Sequence, residues 1–341
     1  ALPISQLEAI GRKGLTFIGK EERFTVPVRA VATPEEAGVH DVVVLTVKAP
    51  SLGEISGKLG PLLGPETPIV AALNGIPWWF FSGIGGALDG RPLKTLDHDG
   101  RIAAGIPIER VIGCVLYIAA EVTAPGEITH SFGGRWVLGE PRGGITPRLE
   151  RLCKELSVPG LATQASATIR GDICHKLIGN MSGNTVSALT HATSIEMLED
   201  PGTRGVIMAM LHEGIAVAKG LGITIPGSVE ERVGIMKSLG SFKSSTLQDV
   251  ERGRIGPIGR LHGPLRQARG FERIAHVGIS RKRPRQVERE HEAVGPGGHG
   301  HAPLRHRVAH AVRRQQRASD RTQCRDRADD IARFVDVWRR R

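Results

Sequence analysis

Three polar residues lie on one face of a predicted helix. Lys176, Asn180 and Asn184 are four residues apart in a helical stretch at 165–189, so their side chains project from the same side. An ammonium beside two amides suits a polarised carbonyl group, because the ammonium can protonate a developing alkoxide while the amides hold neighbouring oxygens. Lys and Asn on a helix are more often solvated surface residues. We call these three residues the stripe of Lys176. Two features favour a role in catalysis over a solvated surface: the adjacent Gly179 leaves room for a ligand, and apolar residues surround the stripe.

Two more polar residues follow predicted buried strands. Lys48 comes directly after the strand predicted at 41–47, and Asn74 after the strand predicted at 69–73. Ligands of open α/β sheets bind outside the carboxyl ends of the strands. Lys48 can therefore meet a phosphate or ribose of a cofactor, and Asn74 both a nicotinamide and a substrate. Taken singly, each is more often structural, since Asn-Gly is also an ordinary turn dipeptide.

A pair of serines opens the last clear helix, predicted at 244–252. A serine at a helix start is usually an N-cap, and that is the simpler interpretation of Ser244 and Ser245. A helix N-terminus also attracts carboxylates, so these residues can hold the acid end of a 2-keto acid.

Strands alternate with helices in the first part of the chain. We expect strands at 41–47, 69–73 and 111–119, a hairpin at 15–31, and helices at 5–14 and 51–63. Continuous β-branched runs are typical of strands buried on both faces of a parallel sheet. The pattern predicts an α/β fold with a Rossmann-like, doubly wound sheet.

The second part of the chain predicts helices alone, at 147–156, 165–189, 203–220, 229–239 and 244–252. We therefore expect a Rossmann-like domain at 1–146, an all-helical substrate and catalytic domain at 147–254, and a tail at 255–341. The stripe of Lys176 lies early in the helical domain, where a cleft between domains is expected.

The net charge of +11 is concentrated in the tail. Residues 255–341 contain 21 basic and 9 acidic residues, and the chain before them contains 25 basic and 26 acidic residues. Lys282 is the only lysine in this Arg-rich tail. Its composition lacks the apolar periodicity of a packed domain, so we expect disorder there.

The chain contains no run of eighteen apolar residues and no secretory signal pattern, so we expect a cytoplasmic protein without a membrane span. Its four cysteines are scattered, with no CxxC pair and no neighbouring histidines at zinc spacing. We expect reduced, mostly structural thiols and no metal site.

Seven segments, in this order, resemble the 2-dehydropantoate 2-reductase (ketopantoate reductase) family over residues 6–254. They are QLEAI with GLT, DVVVLTVKA, LNGIPWWFF, ERVIGCVLYIAAEVTAPGEITH, LGEP, HKLIGNMSGNTVSALT and KSSTLQDVERGR. The helical segment that contains Lys176 is the most specific of them.

The resemblance implies NADPH-dependent reduction of 2-dehydropantoate to pantoate, a step of pantothenate biosynthesis. Lys176 would then be the general acid that protonates the carbonyl oxygen. Asn180 and Asn184 would orient the hydroxyl and carbonyl groups of the substrate, and Ser245 would bind its carboxylate end.

The resemblance also implies which residues contact NADP. These are Lys48, Asn74 and Ala120, with Asn74 near the substrate as well. The implied partner is a small keto acid, and a homodimer is compatible with the family.

This chain departs from the family pattern at its start. The family opens with a strand, a GxGxxG turn and a helix, which hold the cofactor phosphates, and we expect this first βαβ unit to be missing here. The cluster Gly83-Ile84-Gly85-Gly86 does not have the GxGxxG spacing. We therefore expect impaired NADPH binding, and an open sheet edge along the strand at 41–47.

A second departure follows Arg254. The family has an active-site glutamate shortly after the segment VERGR, where this chain has Pro257. An Arg-rich tail almost without lysine is typical of a GC-rich gene read in a shifted frame. We therefore hypothesise a truncated and frameshifted member of the family.

Two alternatives stay open. The stripe of Lys176 does not fix the substrate, so a related NADP-dependent reductase of another keto acid is possible. The basic tail can bind nucleic acid through its charge. It carries no recognition fold and few aromatic residues, so such binding would be non-specific and sensitive to salt.

Overall fold

The computed structural model of the chain describes residues 4–251 and the two-residue strand Val335–Asp336. The predictions for the tail at 255–341 otherwise lie outside the described residues. The described part forms two compact units. The sheet unit contains residues 4–177, 224–226 and 335–336, and the helical unit contains residues 178–223 and 227–251.

The sheet unit is a mixed sheet with short helices around it. Its elements in chain order are α1 (Ile4–Lys13), β1 (Leu15–Ile18), β2 (Arg23–Val26), α2 (Pro34–Ala37), β3 (Val43–Leu45), α3 (Leu52–Ile55), β4 (Ile69–Ala72), α4 (Arg101–Gly105), β5 (Val111–Ala124), β6 (Glu127–Gly139), α5 (Pro147–Leu156), β7 (Ala162–Ser166), the first part of α6 (Ile169–Thr190), and β8 (Val335–Asp336). The strand order is β2-β1-β6-β5-β4-β3-β8, and β7 also pairs with β6.

The parallel strands β3, β4 and β5 form the Rossmann-like part of this sheet. Their β-branched side chains are buried, as the continuous apolar runs predicted, and Val43, Ile69 and Val111 have no exposed surface. The α/β fold class, the short helix α1 and the hairpin of β1 and β2 are confirmed.

The side of β3 that we expected to be an open edge is paired in the structure. Val44 and Leu45 lie opposite Asp336 and Val335 in an antiparallel pair of two residues. The expectation of an unpaired strand at this position was therefore wrong for these residues.

The long antiparallel hairpin of β5 and β6 was only half predicted. The prediction ended β5 near residue 119 and did not contain β6 or β7, whereas β5 continues to Ala124 and turns at Gly126, which has a φ of 77°. Three register irregularities interrupt the pairing of β5 with β6. Gly133-Gly134 in the middle of β6 breaks the alternation of apolar and polar residues by which a strand is predicted.

The single helix predicted at 51–63 was wrong. The segment forms the one-turn helix α3 between short 3₁₀ turns. Three glycines (Gly53, Gly57 and Gly60) and the following Pro61 interrupt the helical hydrogen bonding, although the apolar residues keep a helical spacing. Leu52, Ile55 and Leu59 are still buried.

The sheet unit extends further along the chain than the domain predicted at 1–146. Helix α5 packs its residues Leu149, Leu152 and Cys153 into the same apolar cluster as Val44 and Ile112 of the sheet. Strand β7 adds to β6. Contacts therefore divide the described chain within α6, after Leu177.

The helical unit contains the rest of α6 together with α7 (Ser194–Glu199), α8 (Pro201–Gly220), α9 (Val229–Ser238) and α10 (Ser245–Glu251). Side chains fix the starts of these helices: Asp200 accepts from the backbone N–H of Thr203, and Ser228 and Glu231 form a capping box. The helical architecture is confirmed for residues 178–223 and 227–251, whereas the prediction of helices alone from residue 147 onward was wrong at β7 (Ala162–Ser166). Helix α7 was not predicted. None of the helices that the structure describes combines the length and apolar character needed to cross a membrane.

A partly buried ion pair joins the end of β6 to the start of α5. Both oxygens of Glu140 accept hydrogen bonds from Arg148, at 2.8 Å from Nε and 2.6 Å from Nη2, and Thr146 donates a third. Burial by itself would raise the pKa of the Glu140 carboxyl, but the hydrogen bonds from Arg148 and Thr146 outweigh it and hold the pKa below its ordinary value.

Replacing Arg148 with Met should destabilise the protein by about 1 to 2 kcal/mol at neutral pH, because the buried carboxylate of Glu140 loses a partly exposed partner and keeps only the hydrogen bond from Thr146. The measurement is urea-induced unfolding of both proteins. The matched control is Arg142→Met, whose ion pair with Glu109 is exposed and should change stability by less than about 0.5 kcal/mol.

The sign of the pH dependence follows from the lowered pKa of Glu140. The pair stabilises the fold above the ordinary carboxyl pKa of about 4.3, and this contribution is lost as the pH falls through the lower folded value. The difference between the parent and Arg148→Met should therefore shrink in acid. An equal cost for Arg148→Met and Arg142→Met at pH 7 would contradict the assignment.

Candidate active site

The ammonium of Lys176 lies where β4, β5 and α6 meet. Its Nζ donates to Oδ1 of Asn74 at 2.9 Å and to the carbonyl oxygen of Leu116. All three residues belong to the sheet unit. The structure therefore brings together two residues that the sequence analysis selected independently, Lys176 and Asn74.

The sheet register sets the two acceptors of Lys176 at the same level. Ala72 of β4 lies opposite Cys114 of β5, so Asn74 and Leu116 both lie two residues beyond that pair. Asn74 is exposed at the carboxyl end of β4, where the following Gly75 adopts a φ of 93° that favours glycine. This is the edge at which open α/β sheets bind ligands.

Two paired glycines let α6 approach the sheet closely. Gly113 of β5 lies opposite Gly139 of β6, and Ile169 at the start of α6 packs against both. A Cβ at Gly139 would lie 2.5 Å from Cβ of Ile169, and one at Gly113 would lie 2.8 Å from the ring of Trp79. Larger residues at these positions would displace the helix that carries Lys176.

Arg170 fixes the segment that follows Asn74. Its guanidinium donates to the carbonyl oxygens of Phe80 at 2.8 Å and Ser82 at 2.5 Å, and it lies 5.9 Å from the ring centroid of Trp79. Burial lowers the pKa of Arg170, and the nearby Asp89 opposes this effect. Arg170 was not predicted as a site residue, because a single arginine at a helix start has no distinctive sequence pattern.

The electrostatic environment of Lys176 makes it a suitable proton donor near neutral pH. Burial lowers its pKa from 10.5 to about 8. Burial also raises the pKa of Cys114, so this neighbour stays a neutral thiol. An amine with a pKa close to the working pH can both give and regain a proton.

Asn180 and Asn184 lie one and two turns after Lys176 on α6, within the helical unit. Both are half-buried, and neither side chain has a hydrogen-bond partner among the described residues. The space beside Gly179 is open, since no atom of the described residues lies within 4 Å of a Cβ built there. The two amides are therefore able to bind an added ligand.

Of the remaining predicted residues, Lys48, Ala120 and Ser245 are exposed and Ser244 is buried. Lys48 follows β3, and Ala120 lies opposite His130 in the β5–β6 hairpin. Ser244 caps α10, because its Oγ accepts from the backbone N–H of Leu247 at 3.1 Å, while Ser245 is the exposed first residue of that helix. Of the predicted set, the structure brings together Lys176 and Asn74 within the sheet unit.

The described residues fit the nicotinamide end of a dinucleotide better than its phosphates. The exposed amide of Asn74 beside Lys176, and the exposed cation of Lys48 at the end of the neighbouring parallel strand, match polar groups of such a cofactor. Lys48 forms no ion pair within the described part of the chain. The same part contains no GxGxxG turn for the phosphates.

Family models and known proteins match most of this chain. The family model described as ketopantoate reductase PanE/ApbA matches residues 3–143, and its C-terminal companion matches residues 168–268. The 2-dehydropantoate 2-reductase of Mesorhizobium japonicum is 43% identical over 250 residues, which cover 73% of this chain and 77% of that relative. This chain belongs to the ketopantoate reductase family.

Solved structures show the same fold. A protein of Ralstonia solanacearum assigned to the ketopantoate reductases is 37% identical, with a TM-score of 0.68 over 79% of this chain and 88% of that one. D-mandelate dehydrogenase with NADH and anilino(oxo)acetate is 18% identical, with a TM-score of 0.63 over 81% of this chain and 88% of that one. At such low identity the likeness shows a shared fold alone.

Replacing Asn74 with Asp tests the contact with Lys176. A carboxylate within hydrogen-bond distance of Nζ should favour the charged amine and raise its pKa from about 8 by about one to two pH units. The pKa can be measured from the pH dependence of acetic anhydride labelling at Lys176, read by mass spectrometry. Asn184→Asp, two helical turns away, is the control and should change this pKa much less; an equal rise in both variants would argue against a direct contact.

Proposed function

We propose that this chain is an NADPH-dependent 2-dehydropantoate 2-reductase, which converts 2-dehydropantoate to pantoate in cytoplasmic pantothenate biosynthesis. The observation that carries the proposal is the partly buried ammonium of Lys176, held by Asn74 at the carboxyl end of β4. The name of the relative from Mesorhizobium japonicum supports the choice of substrate.

The proposed reaction adds a hydride and a proton across the ketone of the substrate. Bound NADPH supplies the hydride to the carbonyl carbon. Lys176 donates a proton from Nζ to the carbonyl oxygen, which becomes the hydroxyl of the product, and the neutral amine regains its proton from water. Asn74 and the carbonyl of Leu116 hold Nζ while this exchange takes place.

The other site residues bind and orient. Asn180 and Asn184 hold the hydroxyl and carbonyl oxygens of the substrate through their amides, which have no partner among the described side chains and backbone. Ser245 binds the carboxylate end of the substrate.

The cofactor is proposed to be held at the carboxyl ends of the strands. Lys48 meets its phosphate or ribose, Asn74 its nicotinamide, and Ala120 lines the same region. The choice of NADPH over NADH comes from the family and not from any residue of the described chain.

Lys176 sets the sign of the pH dependence. A proton donor acts in its charged form, so kcat should be constant below the pKa of Lys176 and fall as the pH rises through about 8. Lys176→Gln should lower kcat by about 10²- to 10⁴-fold with little change in the KM for the keto acid. The measurement is NADPH oxidation at 340 nm between pH 6 and pH 10.

The control for Lys176→Gln is Lys58→Gln, which removes an exposed lysine that pairs with Glu54. It should leave kcat and its pH profile unchanged. If Lys176→Gln kept the kcat of the parent, Lys176 would not be the proton donor.

Substrate choice needs a separate test, because the stripe on α6 recognises a carbonyl group that all keto acids share. We expect 2-dehydropantoate to give the highest kcat/KM in a panel of 2-keto and 3-keto acids assayed at equal NADPH. If another keto acid of the panel gave the highest kcat/KM, the assigned substrate would be wrong and the assignment as a keto acid reductase would stand.

NADPH binding by this chain is expected to be weak. A dinucleotide gains much of its affinity from a glycine-rich turn at a helix N-terminus, and the described residues contain no such turn. Fluorescence titration of the purified chain should show no saturation in the micromolar range. Micromolar affinity would mean that other residues hold the phosphates.

A further inference from the structure

The ring of Tyr117 lies beside the ammonium of Lys176. The ring centroid is 5.1 Å from Nζ, within the range of an attractive contact between a cation and an aromatic face. Tyr117 follows Leu116 in β5, and the carbonyl of Leu116 accepts a hydrogen bond from the same ammonium. It is the single tyrosine of the whole sequence.

A second cation holds the same ring. Arg135 of β6 lies directly opposite Tyr117 in the strand register, and its guanidinium carbon is 4.1 Å from the ring centroid. Gln164 of β7 accepts a long hydrogen bond of 3.5 Å from Arg135. The ring is therefore fixed from the neighbouring strand, and this arrangement does not depend on Lys176.

A glycine bulge adjoins Tyr117. The strand register shifts between Tyr117 and Ile118, opposite Gly133-Gly134. Gly133 has a φ of 79°, and a Cβ there would lie 2.2 Å from the carbonyl oxygen of Tyr117. A bulge turns the side chains next to it and is frequent near active sites, so the two glycines help to set the direction of the Tyr117 ring.

The groups around Lys176 show what the Tyr117 ring contributes to the stability of its charged form. Its titratable and charged neighbours are Cys114 and Tyr117 on β5 and, beyond the ring, Arg135 on β6. No carboxylate pairs with Lys176 among residues 4–251. The partial negative charge of an aromatic face can therefore add to the hydrogen bonds with Asn74 and Leu116 in stabilising this partly buried cation.

We propose that Tyr117 is a positioning residue, whose ring holds the ammonium of Lys176 in place for proton donation. The role of Tyr117 in proton donation rests on the proposed function of this chain. The contact itself can be tested without any enzymatic activity.

The test compares Tyr117→Leu, which removes the ring, with Tyr117→Phe, which keeps the ring and removes the hydroxyl. In Tyr117→Leu the pKa of Lys176 should fall by roughly half to one pH unit, the size that such a contact gives. The alkaline decline of kcat should move to lower pH by the same amount, and kcat near pH 8 should fall about two- to fivefold with KM nearly unchanged. Tyr117→Phe should match the parent in all three readouts.

The pKa is read from anhydride labelling of Lys176, and kcat and KM from NADPH oxidation. Phe132→Leu is the control, because Phe132 is an exposed aromatic residue of β6, and it should change neither readout. Thermal unfolding shows which variants are folded. Tyr117→Met, which fills a similar volume with a flexible apolar chain, replaces the Leu variant if that variant unfolds.

The two proposals fail in different ways. An unchanged labelling pKa in both ring-free variants would overturn the role of Tyr117, even if the chain reduces keto acids. Equal losses in Tyr117→Phe and Tyr117→Leu would also overturn it, because the hydroxyl and not the ring would then be responsible. A lowered pKa in a chain that reduces no keto acid would support the contact and overturn the proposed function.

Discussion

The partial burial of one ammonium group is the constraint on which the site depends. Moving a cation out of water is unfavourable unless other groups replace its hydration. For Lys176 these groups are the amide oxygen of Asn74, the carbonyl of Leu116 and the ring of Tyr117. None of them carries a full negative charge, so they hold the cation without cancelling the effect of burial on its pKa, which stays near 8.

The sheet supplies these groups because parallel strands end at the same edge. Asn74 and Leu116 lie level through the register of β4 and β5, and the antiparallel partner β6 brings Arg135 opposite Tyr117. The paired glycines Gly113 and Gly139 then let the start of α6 lie close against the strands. The strand register and the lack of side chains at Gly113 and Gly139 thus set the position of the ammonium as much as the contacts of the Lys176 side chain do.

The sequence predicted the parts of this arrangement that follow simple periodicities. Helical spacing selected Lys176, Asn180 and Asn184, and the rule that ligands bind at strand ends selected Asn74. These two rules together were enough to predict that Lys176 and Asn74 lie near each other. The roles of Asn180, Asn184, Ser245, Lys48 and Ala120 stay predictions.

The parts that could not be predicted depend on irregular or long-range structure. Strand β6 is interrupted by Gly133-Gly134, which ended the alternation that marks a strand, and the contact of Arg135 with Tyr117 exists only once β5 and β6 are in register. Near Leu52 the apolar spacing of a helix was present, but glycine and proline prevented a continuous one. The spacing of apolar residues shows which face of a segment is buried, whereas the positions of glycine and proline decide whether that segment forms a continuous helix or strand.

Helix α6 links the proton donor to the amides by a fixed spacing. Four residues of an α-helix rise about 6 Å, so Asn180 lies about one turn, and Asn184 about two turns, beyond Lys176 along one face. This separation holds within the helix itself, although its residues are divided between the two compact units after Leu177. The backbone fixes only the spacing of the three residues along α6, because the long side chain of Lys176 carries Nζ away from the helix axis. The position of Nζ is set instead by its acceptors Asn74 and Leu116 in the sheet unit.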